Sequence, residues 1–450
     1  MSGFYPIILA WREFEQAVRS GPSQRIALSV EQEDGLAETV FMDIFPDGCR
    51  DEDSFRMAER VLKTMLWSCG GDRITVAGSA GLYERICRQY APGAPRSFDR
   101  EFMAIHFQKP FQIRFLEDPS DAPGTRRASK PVGRHLDGCR IGFDAGGSDR
   151  KVSAVIDGEC VYSEETVWFP KLHADPGYQY AGILDSLRSA AAHLPRVDAI
   201  GVSSAGTFRN NLIRHSSLFW MVPRGLFEEK VSTMYLDAAR TFGDVPVEVA
   251  NDGDVTALAG AMELNADRVL GIAMGTSEAG GYVDGSGNLT GWLNELAFVP
   301  VDLSPDAPVD EWSGDTGVGA KYFSQDGVIR LAEEAGIAFD ADMSPAEKLK
   351  RVQALMREGD PAVRGIYEAL GRWFGYSLAW YARFYEIRHV LILGRVTSGE
   401  SGEILLRAAQ GVLDSEFPSL SSTIRLHLPD EADRRVGQSI AAASLPEIKR

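Results

Sequence analysis

Strands and glycine-rich turns alternate in the longer C-terminal part of the chain, and one pattern occurs there twice. An apolar run at residues 140–143 ends in the letters DAGGSD, and a second strand is predicted at residues 151–156. A tight glycine turn between two strands predicts a β-hairpin. The pattern returns with a strand at residues 268–273, the letters MGTSEAGG, and a strand that begins at residues 281–283. The two hairpins indicate an architectural duplication without a strict sequence repeat.

Amphipathic helices and buried strands follow the predicted hairpins in alternation. Apolar residues at helical spacing cover three segments, at residues 180–194, 227–242 and 363–388. Apolar runs of strand length occur at residues 197–202, 245–250, 389–393 and 423–428, and a closing helix is predicted at residues 433–443. Strands that alternate with helices predict parallel sheets covered by helices on both faces.

A linker rich in proline, glycine, serine and charge at residues 118–138 separates this part from an N-terminal segment. The N-terminal segment has a mixed α/β pattern with no motif that assigns it a role. The predicted domains are an N-terminal α/β segment at residues 1–137, a first lobe at residues 138–262 closed by a C-terminal helix at residues 430–450, and a second lobe at residues 263–429.

The composition limits the classes of function. Lys and Arg number 47 against 64 Asp and Glu, a net charge of -17, so neither a nucleic-acid surface nor docking on anionic lipid is expected. No apolar stretch approaches a membrane span, and the first residues lack the basic region of a signal peptide. The five cysteines form no CxxC pair, which favours reduced thiols in a cytoplasmic protein.

The first glycine-rich turn has the residue types of a phosphate-binding loop. Gly146 and Gly147 allow a close backbone approach, and the Ser148 hydroxyl can donate to a phosphate oxygen. Asp144, at the preceding strand end, is suited to hold the water shell of Mg²⁺. The alternative is a hairpin turn in which the glycines serve only the turn.

The second turn offers a similar set of donors. Gly275, Thr276 and Ser277 supply N–H groups and hydroxyls between two predicted strands. Either turn alone is a weak indication, but one turn from each lobe is a way to grip a nucleotide triphosphate. A third glycine-rich stretch, GRVTSGE with Gly394 and Arg395, follows an apolar strand and could admit adenine or ribose, or be an ordinary loop before a helix.

Asn251 and Asp252 stand where a predicted strand passes into a helix. An aspartate at this junction could accept the proton of an attacking hydroxyl. An aspartate there is also a common N-cap of the helix, so both interpretations remain open from the sequence.

Together these stretches resemble, in order and approximate spacing, the ROK family of bacterial sugar kinases and repressors, within the actin-like ATPase superfamily. The resemblance covers about residues 138–450 and implies an α/β fold of two RNase H-like lobes around a nucleotide cleft. It implies two phosphate loops at DAGGS and GTSEAGG and an adenosine loop at GRVTSGE. It also implies ATP with Mg²⁺ as cosubstrate and metal.

The resemblance assigns roles on the sugar side as well. VANDGDVTALAG resembles a family stretch whose Asn binds a sugar hydroxyl and whose Asp is the catalytic base, so Asn251 and Asp252 would take these roles. GVSSAGTF stands at the position of a sugar-side loop, which implies sugar contacts for Ser204 and Gly206.

The chain departs from the family pattern where the family binds zinc. Glu295 matches a sugar-binding Glu, but Phe298 replaces the His that binds zinc and sugar. The family's cysteine-rich zinc segment corresponds to residues 311–320, which hold no cysteine, and Ala320 stands where a second sugar-contacting Glu is expected. The departures imply that zinc is absent and that the sugar pocket is rebuilt.

Other side chains that could enter a sugar pocket have more ordinary alternatives. Trp168, Trp292 and Trp312 could stack on a sugar ring, although core packing or a partner surface is more common for a tryptophan. His173 and His215 show no metal-ligand spacing, and structural roles are expected for both.

The sequence therefore predicts an ATP-dependent kinase that phosphorylates a hydroxyl of a hexose or hexose derivative and forms a homodimer. A non-catalytic sugar or nucleotide sensor with a kinase fold is the first alternative, because the zinc segment and two sugar ligands are missing. An ATPase that switches between protein partners is the second alternative.

Overall fold

A computed structural model describes residues 3–32, 35–127, 132–429 and 431–449. The chain forms two compact units. The first unit combines Met1–Ala128, Ile272–Gly280 and Trp292–Leu428, and the second combines Ser129–Gly271, Gly281–Gly291 and Pro429–Arg450. The predicted linker lies partly outside the described residues, at 128–131, and the predicted domain boundaries at 137, 262 and 429 stay predictions.

The N-terminal part of the first unit is an α/β layer. Its elements are α1 (Ile7–Arg19), β1 (Gln24–Glu31), β2 (Ala37–Ile44), α2 (Asp51–Ser68), β3 (Arg73–Ala77), α3 (Ala80–Gln89), α4 (Ser97–Phe107) and β4 (Gln112–Leu116). The strand order is β2-β1-β3-β4, with β1 antiparallel to β2 and β3 and with β3 parallel to β4. Helix α2 is buried along most of its length, so it forms the centre of this part of the core.

The second unit is built on a five-stranded sheet. Its elements are β5 (Cys139–Ala145), β6 (Asp149–Ile156), β7 (Glu159–Val167), α5 (Pro176–Ala191), β8 (Ala199–Ser204), β9 (Thr207–Arg209), β10 (Leu212–His215), α6 (Arg224–Leu226), α7 (Met234–Ala239), β11 (Val247–Asn251) and α8 (Asp252–Glu263). The order is β11-β8-β5-β6-β7. Strands β11, β8 and β5 are parallel, whereas β5, β6 and β7 are antiparallel. The first predicted hairpin is confirmed.

The C-terminal part of the first unit contains the central residues of the second hairpin, Ile272–Gly280, and most of the long helices. The elements are β12 (Val269–Met274), β13 (Glu278–Val283), α9 (Gln325–Glu334), α10 (Pro345–Arg357), α11 (Pro361–Tyr381), β14 (His389–Leu393), α12 (Glu400–Glu416), α13 (Pro418–Ser421) and β15 (Arg425–His427). The strand order is β13-β12-β14-β15. Residues Ile272–Gly280 of β12 and β13 belong to this unit, and the second hairpin is also confirmed.

Helix α14 (Glu431–Ala443) packs on the sheet of the second unit. A Cβ atom at Gly142 of β5 would lie 1.7 Å from the carbonyl oxygen of Ser439, and one at Gly201 would lie 1.7 Å from that of Ala442. Only glycine fits at these two positions, so the helix backbone rests directly on the strand backbones.

One predicted helix is interrupted. The sequence predicts a continuous helix over residues 227–242, but a π-helical turn at Phe227–Val231 precedes α7. The carbonyl oxygen of Ser232 accepts the amide of Ile213, at 2.9 Å, from β10. This bond to a neighbouring strand coincides with the change in helical register, and a pattern of apolar residues cannot reveal it.

Candidate functional site

Three parallel strands of the second unit bring the predicted polar residues to one edge of the sheet. Asp144 pairs in register with Ser203, and Asn251 pairs with Ser204. The carboxyl ends of β5, β8 and β11 therefore lie side by side, which is where open α/β sheets bind ligands.

Asp144 is buried, and its carboxyl group contacts a hydroxyl and an ammonium group. Its Oδ1 accepts a hydrogen bond from the Ser203 hydroxyl at 2.6 Å, and its Oδ2 lies 3.9 Å from Lys151 Nζ. Burial raises the pKa of Asp144 to about 6, and the Ser203 and Lys151 contacts oppose this rise while the charges of Asp252 and Asp149 add to it. The charges of Lys151, Asp252 and Asp149 therefore all act on the Asp144 carboxyl group.

The first glycine-rich loop is held by Trp168. The indole N–H donates to the carbonyl oxygen of Gly146 at 2.8 Å, and the Trp168 amide donates to that of Ser148 at 3.1 Å. The Gly146 amide is used inside the turn, where it donates to the carbonyl of Asp149 at 3.0 Å. Trp168 is buried, so its observed role is support of the loop and the sugar-stacking interpretation has no support.

Asn251 and Asp252 have different positions at the junction between β11 and α8. Asn251 is the N-cap: its Oδ1 accepts the Gly253 amide at 2.7 Å, and its Nδ2 donates to the carbonyl of Gly206 at 2.7 Å. Asp252 is the first residue of the helix, so the N-cap alternative for Asp252 is wrong. Burial raises the pKa of Asp252, and the hydrogen bond from the Gly253 amide and the charge of Lys171 oppose the rise.

Ser204 and Gly206 flank this junction in different ways. Ser204 is fully buried, and its hydroxyl lies 2.7 Å from the hydroxyl of Tyr235. Gly206 has φ of +136°, and a Cβ atom there would lie 2.2 Å from the carbonyl oxygen of His215. The carbonyl oxygen of Gly206 accepts the hydrogen bond from the Asn251 side chain. The Ser204 hydroxyl, in contrast, faces the core.

The first unit holds the second glycine-rich loop beside the GRVTSGE stretch. The Gly275 amide donates to the carbonyl of Ser277 at 3.0 Å, and Arg395 Nη2 donates to the Thr276 hydroxyl at 3.1 Å. A Cβ atom at Gly394 would lie 2.3 Å from the carbonyl oxygen of Met274. The close approach of Gly394 places the predicted adenosine stretch against the predicted phosphate loop.

Glu295 lies in the same unit, on a segment tied to helix α2. The Glu295 amide donates to the carbonyl of Trp67 at 2.9 Å, and the Asn294 amide donates to that of Ser68 at 2.9 Å. Phe298 packs on Trp67, with ring centroids 4.3 Å apart. The predicted sugar-binding segment is therefore supported by the N-terminal part of the chain.

Two charged residues close to the glycine-rich loops were not predicted from the sequence. A Cβ atom at Gly147 would lie 3.4 Å from Lys171 Nζ, so this ammonium group lies against the first loop. Glu278 is buried at the start of β13, and burial raises its pKa to about 8, although a hydrogen bond from Tyr381 opposes the rise. A lone lysine between strands and helices and a glutamate inside a strand give no local motif.

The remaining aromatic and histidine candidates differ in their surroundings. Trp292 packs against Tyr385, with ring centroids 5.3 Å apart, and Trp312 is exposed. His173 stacks on Tyr178 with ring centroids 3.6 Å apart. The ring contacts of Trp292 and His173 favour the structural roles expected for them, whereas Trp312 is not part of the core.

The surroundings of Asp144 are compatible with a magnesium ion, whereas residues 311–320 are not compatible with zinc. Buried carboxylates suit a hard cation that keeps several waters. No group of three or more His, Cys, Asp or Glu able to hold a metal occurs among the described residues, and a site that holds magnesium through water with one carboxylate does not require such a group. At residues 311–320, Asp315 is instead paired with Arg60, Lys63 and Arg96, which does not fit zinc.

No protein-family model matches the chain, and no curated protein matches its sequence. The chain is similar in structure to the ROK hexokinase from Thermus thermophilus, with 19% identity and a TM-score of 0.52 over 68% of this chain and 97% of that protein. It is also similar to a ROK family transcriptional regulator described as a homolog of the E. coli MLC protein, with 16% identity and a TM-score of 0.55 over 69% and 79% of the two chains.

The architecture is therefore the actin-like ATPase fold, as predicted. More narrowly, the fold is that of the ROK proteins, and the predicted resemblance is confirmed at the level of fold. One of these similar structures is a hexokinase and the other is a transcriptional regulator, so the fold alone does not define the activity. No helix among the described residues is long and apolar enough to cross a membrane.

Proposed function

We propose that the protein is an ATP-dependent sugar kinase that transfers the γ-phosphoryl group to a hydroxyl of a hexose or hexose derivative. The observation that carries the proposal is the group of Asp144, Asn251 and Asp252 at one edge of the sheet of the second unit. In this group Asn251 satisfies the helix cap, so the Asp252 carboxylate is not needed for it.

The second unit would supply the base and hold the metal. Asp252 accepts the proton of the attacking hydroxyl as the bond from that oxygen to the γ-phosphorus forms, and ADP leaves with the electrons of the broken P–O bond. Bound magnesium would neutralise charge on the phosphate oxygens, and Asp144 would hold it through water. Gly146, Gly147 and Ser148 would face the phosphates, with Lys171 beside them.

The resemblance assigns further binding roles to residues of the first unit. Gly275, Thr276 and Ser277 would bind phosphate, and Gly394 with Arg395 would bind the adenosine part. Glu295 and Asn251 would bind sugar hydroxyls. We assign Gly206 and Ser204 to support of Asn251 and of the strand end, because of their contacts with Asn251 and Tyr235.

The surroundings of Asp252 support its assignment as a proton acceptor. Burial raises its pKa, which strengthens the carboxylate as a proton acceptor, and the Gly253 amide and the charge of Lys171 oppose the rise. A base acts best when its pKa is close to the working pH.

Substitution of the proposed base tests the assignment. Asp252→Asn keeps the size of the side chain but removes the proton acceptor, so kcat for sugar phosphorylation should fall by about 10²–10⁴-fold. Glu263→Gln, an exposed change near the other end of α8, is the control and should leave kcat unchanged. The rate is measured as ADP formed in the presence of sugar, and a loss of less than about tenfold in Asp252→Asn rejects the base assignment.

A non-catalytic sensor is the second candidate function, and one observation favours it. Lys151 Nζ lies 2.9 Å from Asp149 Oδ1 and 3.9 Å from Asp144 Oδ2, so a fixed positive charge already stands beside the proposed metal-binding carboxylate. Titration calorimetry with ATP and Mg²⁺ separates the two functions. A kinase should bind the nucleotide at millimolar or lower concentration, and no binding of nucleotide together with binding of a sugar would favour the sensor.

A further inference from the structure

Six charged side chains form a buried network within the first unit. They are Glu59, Arg60 and Lys63 of α2, Arg96 and Asp99 at the start of α4, and Asp315. All are less than one-tenth exposed, and three cations balance three anions. A balanced and hydrogen-bonded network of this kind tolerates burial, whereas removal of one member leaves an uncompensated charge.

Asp315 is the centre of the network. Its two carboxylate oxygens lie 2.9 Å from Arg60 Nη1, 3.0 Å from Lys63 Nζ and 2.7 Å from Arg96 Nη2. Burial by itself would raise the pKa of Asp315, but the three cations outweigh burial and hold the pKa well below its usual range. The carboxylate is therefore ionised at neutral pH and fixes the loop of residues 311–320 to the N-terminal segment.

Trp67 connects this network to the segment that carries Glu295. Its indole N–H donates to Asp99 Oδ1 at 3.1 Å, and Asp99 in turn pairs with Lys63 at 3.2 Å. The carbonyl of the same tryptophan accepts the amide of Glu295, and its ring packs on Phe298. One side chain thus contacts the ion network on one side and the proposed sugar-binding segment on the other.

We propose that residues 3–127 position Glu295 for the sugar through Trp67 and the ion network centred on Asp315. This role rests on the proposed function. In the family that the sequence resembles, the positions of Phe298 and residues 311–320 belong to a zinc site. Here an aromatic contact and buried ion pairs hold the two segments instead, and Trp67 is a positioning residue and not a catalytic one.

The test compares two buried tryptophans of the first unit. Trp67→Phe removes the indole N–H while a ring remains on Phe298. Trp11→Phe is the matched control, because Trp11 is equally buried, lies on α1, and its indole nitrogen has no hydrogen-bond partner among the described residues. Both substitutions remove the same atoms from the core, so a general loss of packing affects both proteins.

Amide hydrogen exchange measures how firmly the segment that carries Glu295 is held. In Trp67→Phe, a peptide that covers residues 292–299 should exchange at least tenfold faster than in the wild type, and in Trp11→Phe the same peptide should not change. Equal exchange in all three proteins would overturn the inference. If Trp67→Phe does not fold, Phe98→Leu replaces it, because the Phe98 ring lies 5.9 Å from that of Trp67 and 5.5 Å from that of Phe298.

Kinetics then separate the inference from the proposed function. In Trp67→Phe we expect the KM for the sugar to rise at least tenfold, with the KM for ATP unchanged. A rise that is equal for both substrates, or equal in Trp11→Phe, would contradict a specific role in positioning Glu295. A wild-type protein that phosphorylates no sugar would refute the kinase function, while the exchange rates would still decide whether Trp67 orders the segment.

Discussion

At the scale of single residues, the clearest division of labour is between Asn251 and Asp252. Asparagine and aspartate are nearly equal as N-caps, so the sequence alone cannot decide which of the two caps α8. The structure places Asn251 at the cap and holds its amide between Gly253 and Gly206. Asp252 is therefore not the N-cap, which is compatible with the role proposed for its carboxylate.

The position of Lys171 beside Gly147 predicts that its positive charge affects catalysis. Lys171→Met should lower kcat roughly tenfold or more, because a positive charge next to the proposed phosphate loop is lost. It should also shift the acidic limb of the kcat/KM profile to higher pH, because the lysine charge opposes the rise in the pKa of Asp252. The measurement is a pH–rate profile of the variant and the wild type.

Two variants control this experiment. Lys171→Arg keeps the positive charge, so the acidic limb should stay near its wild-type position. Lys230→Met removes an exposed lysine from the same unit and should change neither kcat nor the profile. An unshifted profile in Lys171→Met would show that this lysine does not act on Asp252.

The raised pKa of Glu278 predicts that the stability of the protein depends on pH. Burial raises its pKa to about 8 from an ordinary value of 4.5, so the folded state retains a proton that the unfolded chain loses. Stability from this group therefore falls as pH rises from about 4.5 to 8, by up to about 1.4 kcal/mol per pH unit. Glutamine at position 278 cannot ionise. The free energy of unfolding of Glu278→Gln should therefore increase relative to that of the wild type as the pH rises from about 4.5 to 8.

Denaturant unfolding at pH 5, 6, 7 and 8 measures the difference between the two proteins. Other groups, Asp144 included, titrate in both proteins and cancel in this difference. A difference that is constant from pH 5 to pH 8 would mean that Glu278 ionises in the folded protein at its ordinary pKa.

At the scale of secondary structure, helix α14 depends on glycines in the sheet that it covers. Gly142→Ala would place a methyl group at 1.7 Å from the carbonyl oxygen of Ser439, and the helix would have to move away. Overpacking of this kind costs about 1–3 kcal/mol or more. The cost is measured as a lower free energy of unfolding in denaturant.

The control for this prediction lies on α14 itself. A Cβ atom at Gly437 would meet nothing within 4 Å, so Gly437→Ala should leave the contact intact and add up to about 1 kcal/mol through helix propensity. If the two alanine substitutions had the same effect, backbone contact between helix and sheet would not be the reason for glycine at position 142.

At the scale of the whole molecule, the sequence predicted the parts of the fold that depend on local patterns. Both hairpins, the parallel strands β8 and β11 and the helix after Asn251 follow from alternation, glycine turns and helical spacing. The interruption of the helix at residues 227–242 was not predicted, and it coincides with a hydrogen bond to β10 that no local pattern reveals. Lys171 was missed for a related reason, since only the folded chain brings it to Gly147.

The N-terminal segment shows most clearly what sequence patterns cannot supply. Arg60, Lys63 and Arg96 look like surface charges in the sequence, because charged residues are seldom fully buried. Their burial becomes apparent only when Asp315, more than 200 positions away, is placed among them. The segment without a motif is thus part of the same compact unit as Glu295.

The most direct measurement of the central claim is the detection of product. The wild-type protein is incubated with Mg²⁺, ATP labelled in the γ-phosphoryl group, and separately with hexoses, amino sugars, sugar acids and polyols. We predict labelled sugar phosphate from at least one acceptor with the wild-type protein and little or none with Asp252→Asn. No labelled product from any acceptor, or equal labelling by the two proteins, would contradict the account.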